Sequence, residues 1–183
     1  MRLLASALGA VFAAALSSAA ALAGPAVPEP AGYHGEPYRS PVPATLAGAE
    51  VVDLVATDAL MRGAAVLIDV LPEVRRPDNL PADTIWHPKP HVSIRGAVWL
   101  PGTGYEALAT DDEAAFQAAL KVLSKGDTAA KLVFFCKADC WMSWNAAKRA
   151  VGWGYSEVAW FPGGTDDWTA AGRELVPVTA FRP

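Results

Sequence analysis

Cysteine is scarce in this sequence: only two of the 183 residues, Cys136 and Cys140, are cysteines. A framework of several disulfides is therefore excluded, and so is a zinc site made of four cysteines. Because three residues separate the pair, a bond between them would close only a tiny loop and would add little as a structural staple. The spacing therefore favours chemistry over scaffolding.

Positive charge and histidine are also limited. The chain has 15 Lys and Arg against 19 Asp and Glu, and no basic run, which argues against nucleic-acid binding. The motif for haem attachment is absent, because that motif has a histidine directly after the second cysteine and this chain has Trp141 there. A metal site would need Cys136, Cys140, His87 and His91 to converge; we interpret both histidines as ordinary loop residues and expect no metal or other cofactor.

The one long apolar run lies at residues 3–16, directly after Arg2. It is shorter than the roughly 20 residues that a spanning helix needs. A small-x-small sequence follows at residues 21–23, so residues 1–23 are predicted to be a signal peptide that is removed on export. The mature protein would then lie in the periplasm, without a membrane segment and in an oxidising compartment.

Proline marks the next segment, residues 24–49, where six prolines fall between positions 25 and 43. Each proline fixes φ and removes a donor, so this N-terminal arm is predicted to be extended. Tyr33 and Tyr38 could anchor the arm, whereas His34 is expected to be exposed. Residues 50–183 have the pattern of a single globular domain.

Short apolar runs alternate with helical patterns across the domain. Strands are predicted near residues 50–54, 65–70, 96–100, 131–136 and 157–161, and helices from 57, 110, 143 and 166. The second helix opens with Thr110 as a capping residue, and a proline-rich irregular stretch covers residues 71–92. This order predicts an α/β fold with a mostly parallel, twisted sheet covered by helices on both faces. Ligands of such sheets bind at the carboxyl ends of strands, where Cys136 lies.

The loop between the strand ending at Cys136 and the next helix is the predicted site. Such a loop can turn backbone N–H groups inward, and the helix N-terminus adds partial positive charge. Both effects favour a Cys136 thiolate, which is a nucleophile, with Cys140 as its partner. The predicted substrate-binding loop comprises Lys137, Ala138, Asp139, Trp141, Met142 and Ser143. Trp141 and Trp144 could equally line a pocket or a partner surface.

Several motifs together resemble the rhodanese family. Asp69 after a buried strand, the stretch from Ile94 to Pro101, and the run from Leu132 through Cys136 to Gly163, Gly164 and Trp168 follow its pattern over residues 53–176. The resemblance implies a three-layer fold and sulfur transfer from a small sulfur-containing anion through a persulfide on Cys136. Asp69 is expected to be structural, accepting backbone N–H groups near the site.

The chain departs from catalytic rhodaneses in its cysteine loop, which lacks glycine and arginine. A cysteine-dependent phosphatase would need an arginine where Met142 stands, which argues against that activity. The sequence Cys136-x-x-x-Cys140-Trp141 resembles the PQQ-dependent catabolism-associated CXXCW motif proteins, although that name has two intervening residues. This resemblance implies a periplasmic quinoprotein system as partner. Three alternatives remain. One is a thiol–disulfide redox protein acting on a partner protein, and another is a non-catalytic binding module with an inert disulfide. The third is quinone or metal handling, which rests only on the family name and the nearby histidines.

Overall fold

The structure is a computed structural model that describes residues 26–183. The predicted signal peptide, residues 1–23, lies outside the described residues, as do the first two residues of the arm. Within the described part, no helix has the length and apolar character needed to cross a membrane.

The described residues form seven strands and four helices in an alternating order. The strands are β1 (Glu50–Val51), β2 (Val66–Asp69), β3 (Val92–Ser93), β4 (Val98–Trp99), β5 (Leu132–Phe135), β6 (Val158–Phe161) and β7 (Val176–Pro177). The helices are α1 (Leu54–Arg62), α2 (Thr110–Leu123), α3 (Trp141–Gly152) and α4 (Gly164–Ala170). Five strands make one sheet in the order β1-β6-β5-β2-β4, and every neighbouring pair in it is parallel.

Helices cover both faces of this sheet because successive side chains of each strand point to opposite faces. On β5, Leu132 and Phe134 join a core with residues of α2 and α3. Val133 and Phe135 join a second core with residues of α1 and α4. All four β5 side chains are fully buried, as expected for a continuous apolar run in a parallel sheet. The predicted three-layer α/β fold with a mostly parallel sheet is confirmed.

Several helix boundaries differ from the sequence prediction. Helix α1 begins three residues before Thr57, because the Asp53 carboxylate caps it by accepting the Ala56 N–H at 2.8 Å. The capping role predicted for Thr110 is wrong: Ala109 is the N-cap of α2, and its side chain makes no capping hydrogen bond. Helix α3 begins at Trp141, two residues earlier than predicted.

A small antiparallel sheet of β3 and β7 was not predicted. It pairs Val92 with Pro177 and Ser93 with Val176. Each strand has only two residues, too few to show a period in the sequence. The pairing joins the end of the long irregular stretch to the C-terminal segment.

The described part of the N-terminal arm packs on the domain. Val27, Tyr38, Val42 and Leu46 contribute to the core beneath α2 and α3. Within the arm, Glu29 accepts hydrogen bonds from the Thr45 hydroxyl and from the Ala47 N–H. Both bonds lower the pKa of the Glu29 carboxyl, and the bond from Thr45 has the larger effect.

Candidate functional site

Both cysteines lie at the junction of β5 and α3. Cys136 directly follows β5, Cys140 is the N-cap of α3, and the two form a disulfide with their Cα atoms 6.5 Å apart. Their side chains are buried, with exposed fractions of 1% and 2%. The sequence therefore predicted the position of both cysteines at the strand–helix junction correctly. The structure adds that their sulfur atoms lie beneath other parts of the chain.

The cradle of N–H groups predicted around the Cys136 sulfur does not form in this disulfide state. Within residues 26–183 the polar contacts of this sulfur are the carbonyls of Lys137 and Cys140, at 3.8 and 3.7 Å. The backbone N–H of Ala138 donates instead to the Asp166 carboxylate, at 3.1 Å. In the disulfide state a carboxylate outside the loop therefore takes up this donor, and the cradle around a Cys136 thiolate stays a prediction.

Two segments hold the cysteine loop from outside. On one side the backbone of Lys137 forms an antiparallel β-bridge with that of Gly164. Both the backbone N–H and the hydroxyl of Thr165 donate to the Cys136 carbonyl, at 2.9 and 3.2 Å. On the other side the backbone of Arg39, in the arm, forms an antiparallel β-bridge with that of Cys140. The backbone of the loop is therefore fixed between the start of α4 and the N-terminal arm.

The predicted substrate-binding loop divides into two parts. Lys137 and Ala138 are half-buried and Asp139 is exposed, so these three are accessible. Trp141, Met142 and Ser143 form the first turn of α3 and are exposed by 3% or less. Their burial leaves them little surface for a substrate in this state, and the catalytic role of Cys136 stays a prediction.

One face of α3 binds the N-terminal arm. The arm contacts four side chains at positions i, i+3, i+4 and i+7, which share a face of a helix: Trp141, Trp144, Asn145 and Lys148. The two indole N–H groups donate to Ser40 Oγ at 3.0 Å and to the Thr45 carbonyl at 3.1 Å. Trp141 and Trp144 are therefore covered by the chain itself.

His34 is not exposed as predicted. Its ring stacks on Trp141. Its backbone N–H donates to Asn145 Oδ1 at 2.9 Å, and its backbone carbonyl accepts a hydrogen bond from Asn145 Nδ2 at 2.8 Å. The same amide donates to the Gly104 carbonyl at 2.9 Å. The polar and aromatic spacing on α3 was the only signal in the sequence for this docking face.

Asp69 ends β2 and is fully buried near the cysteine loop. Its carboxylate accepts the Leu71 N–H at 2.9 Å, as expected for a structural carboxylate at a strand end. It also accepts the Ser93 hydroxyl at 2.6 Å and pairs with His91 Nε2 at 2.8 Å. His91 in turn stacks on Trp99, with ring centroids 4.1 Å apart. Nothing in the sequence indicated the contact between His91 and Asp69, because 22 residues separate the two side chains.

The other residues considered for a metal site do not assemble one. Over the described range, no group of three or more His, Cys, Asp or Glu side chains is arranged to hold a metal ion. His91 contacts Asp69, and both cysteines are joined to each other.

Comparison with known proteins gives structural neighbours only. No protein-family model matches the chain, and no curated protein matches it. A thiosulfate sulfurtransferase from Pseudomonas aeruginosa is 21% identical with a TM-score of 0.48, over 73% of this chain and 21% of that one. A human single-domain sulfurtransferase is 25% identical with a TM-score of 0.42, over 67% of this chain and 96% of that one. A polysulfide-sulfur transferase homodimer from Wolinella succinogenes is 20% identical with a TM-score of 0.43, over 73% and 82%. The chain is thus similar to sulfurtransferase structures in the arrangement of its strands and helices.

Proposed function

We propose that this chain is an exported, rhodanese-like thiol protein whose Cys136 and Cys140 cycle between a disulfide and a dithiol. The pairing of the two cysteines across the junction of β5 and α3 carries this proposal. Cys140 is the N-cap of a 12-residue helix, whose N-terminal partial positive charge favours a thiolate there. A stabilised thiolate is a good leaving group in thiol–disulfide exchange.

The exchange is balanced in two steps. A partner thiolate attacks Cys136 Sγ, a mixed disulfide forms, and Cys140 leaves as a thiolate. A second partner thiol, as its thiolate, then attacks the partner's own sulfur in the mixed disulfide and releases Cys136. Two electrons and two protons pass from the partner to the pair. In the reverse direction Cys136 is the nucleophile and Cys140 resolves the mixed disulfide.

Sulfur transfer is a second function of the reduced pair, favoured by the short path between the two cysteines. A Cys136 thiolate would take the outer sulfur of thiosulfate and release sulfite, leaving a persulfide. Cys140 could then attack the Cys136 sulfur and release hydrosulfide, which regenerates the disulfide seen here. The Cα atoms of the two residues are only 6.5 Å apart, so this step needs no large movement.

The proposed location is the periplasm, and the proposed partner is a thiol or disulfide protein of a periplasmic quinoprotein system. A disulfide persists in an oxidising compartment, which agrees with the signal peptide predicted at residues 1–23. The rival binding module would use Trp141 and Trp144 as a docking surface. Both side chains lie beneath the chain's own arm, which argues against this docking surface in the disulfide state.

The redox proposal is tested by equilibrating the mature protein in thiol buffers of graded potential, followed by alkylation and mass spectrometry. We expect reversible interconversion between a form with two alkylated cysteines and a form with none. The single variants Cys136→Ser and Cys140→Ser serve as controls that cannot form the intramolecular bond. A disulfide that stays closed below about −300 mV would identify an inert structural bond and remove the proposal.

Sulfur transfer is tested separately, by thiocyanate formation from thiosulfate and cyanide after reduction of the protein. Activity that is lost in Cys136→Ser supports Cys136 as the sulfur acceptor. Equal activity in the wild type and in Cys136→Ser would exclude it.

A further inference from the structure

A cavity of about 730 Å³ opens beside the cysteine loop, on the carboxyl edge of the sheet. Lys137 and Thr165, which flank the cysteine backbone, belong to its wall. Most of the remaining wall comes from the irregular stretch after β2 and from the C-terminal segment around β7, including Trp86 and Leu175. The wall is completed by Trp99, Asp166 and Thr169. The β3–β7 pairing fixes these two segments against each other.

The wall is mainly apolar, and its largest apolar side chain is an indole. Its apolar side chains include Pro72, Trp86, Pro88, Leu175 and Val178. Proline rings and an indole present flat, rigid surfaces that suit a planar ring system. A cavity with this lining and this volume is of the size that binds a small organic molecule.

Both carboxylates in the wall are already engaged by arginines. Glu73 pairs with Arg182 at 3.1 Å. Asp166 pairs with Arg39 at 3.5 Å and also accepts the Ala138 N–H. Their negative charge is therefore compensated within the protein.

The two lysines in the wall are not compensated. No carboxylate of the described residues lies within ion-pair distance of Lys89 or Lys137. His91 adds a polar group to the wall. Its Nε2 is bound to Asp69, whereas its Nδ1 is accessible to solvent and makes no hydrogen bond within residues 26–183. The cavity thus combines an apolar body with unpaired positive charge.

We propose that this cavity is a binding site for a planar aromatic carboxylate. The ring would pack on the apolar wall that includes Trp86, and Lys89 and Lys137 would be the cationic partners of the carboxylate. An anion is favoured over a cation because the acidic side chains of the wall are occupied and the lysines are not. The proposal is independent of cysteine redox chemistry, since the cavity is formed in the disulfide state.

Isothermal titration of the intact mature protein with naphthoate tests the proposal. Naphthamide has the same ring without the charge, and cyclohexanecarboxylate has the charge without the aromatic ring. We expect naphthoate to bind about tenfold more tightly than either, because each loses one of the two interactions. Equal affinity for naphthoate and naphthamide, or no heat with naphthoate, would overturn the proposal.

Charge-removing variants locate the site. Lys137→Gln is expected to weaken naphthoate binding by about tenfold and to leave naphthamide binding unchanged. Lys121→Gln is the matched control, since this exposed lysine of α2 lies outside the cavity. An equal loss in Lys121→Gln would mean non-specific attraction to surface charge and would reject the site.

Discussion

The imidazole of His34 stacks on the indole of Trp141, with ring centroids 3.9 Å apart and the ring planes 8° apart. Trp141 immediately follows Cys140, so this contact ties the N-terminal arm to the residue beside the disulfide. The backbone N–H of Trp141 donates to the Tyr38 carbonyl at 2.9 Å, and the backbone N–H of Ser40 donates to the Asp139 carbonyl at 3.0 Å. The arm therefore covers the loop that carries the cysteines.

Loosening this cover is expected to speed reduction of the disulfide. The variant His34→Ala removes the stacking on Trp141, an interaction worth about 1 kcal/mol, and should raise the rate of reduction by dithiothreitol about fivefold. The rate is measured by quenched alkylation over time. His87→Ala, in an exposed part of the irregular stretch, is the control and should leave the rate unchanged. Equal rates in all three proteins would show that the reductant reaches the sulfurs without displacing the arm.

Asn145 is expected to be the main polar anchor of the arm. Its fully buried amide makes three hydrogen bonds, two to His34 and one to Gly104. Asn145→Ala leaves buried backbone groups without partners and should cost about 3 kcal/mol of unfolding free energy, measured by urea denaturation. Gln117→Ala, on the exposed side of α2, should change the stability by less than about 0.5 kcal/mol. A loss in Asn145→Ala no larger than in this control would contradict the anchoring role.

Gly164 is predicted to be essential for the position of the cysteine loop. Its φ is +51°, and a Cβ there would overlap the Cys136 carbonyl. Gly164→Ala should therefore destabilise the fold by about 3 kcal/mol, from backbone strain and overpacking together. Gly152→Ala is the matched control because a Cβ at that position meets open space. Thermal melts of the two variants compare them directly, and similar melting temperatures would refute the close approach.

The ion pair of Asp58 and Arg173 predicts a pH-dependent contribution to stability. The two side chains form a bidentate pair at 2.5 and 2.6 Å, and the hydrogen bond from Arg173 is the main cause of the lowered pKa of the Asp58 carboxyl. A pKa that is lower in the folded state means that the stabilisation is present above the unfolded pKa of about 3.9 and is lost as the pH falls through the folded value.

Asp58→Asn should therefore be modestly less stable than the wild type at neutral pH, since the pair is partly exposed. The difference should shrink as the pH falls through the lowered folded pKa of Asp58, because protonation of the carboxyl removes the pair. Urea denaturation at several pH values measures it. A gap that is constant with pH would mean that the substitution acts through packing and not through charge.

Much of the fold was predictable because its signals are local. The four consecutive apolar residues of β5 could only be buried on both faces of a sheet, and they are. The alternation of such runs with helical patterns was enough to predict the layered α/β architecture. The start of α1 was missed because the cap is Asp53, four residues before Thr57, the residue at which the sequence pattern placed it.

The environment of the candidate site was less predictable because its contacts are distant in sequence. Ser40 and Trp141 are 101 residues apart, and His91 and Asp69 are 22 residues apart. Neither pair leaves a periodic trace, since each depends on where separate segments meet in space. The cavity and its unpaired lysines follow from the same long-range arrangement.

The sequence by itself determined that two cysteines stand between the most apolar strand and the following helix of a parallel sheet, because hydrophobic period and helix signals are local properties of the chain. Only the tertiary structure decided that the sulfurs pair with each other, that the Ala138 N–H bonds outside the loop, and that the arm covers the first turn of α3. Those outcomes depend on complementary surfaces from remote segments, and burial of the indoles of α3 is the physical force that brings the arm onto them.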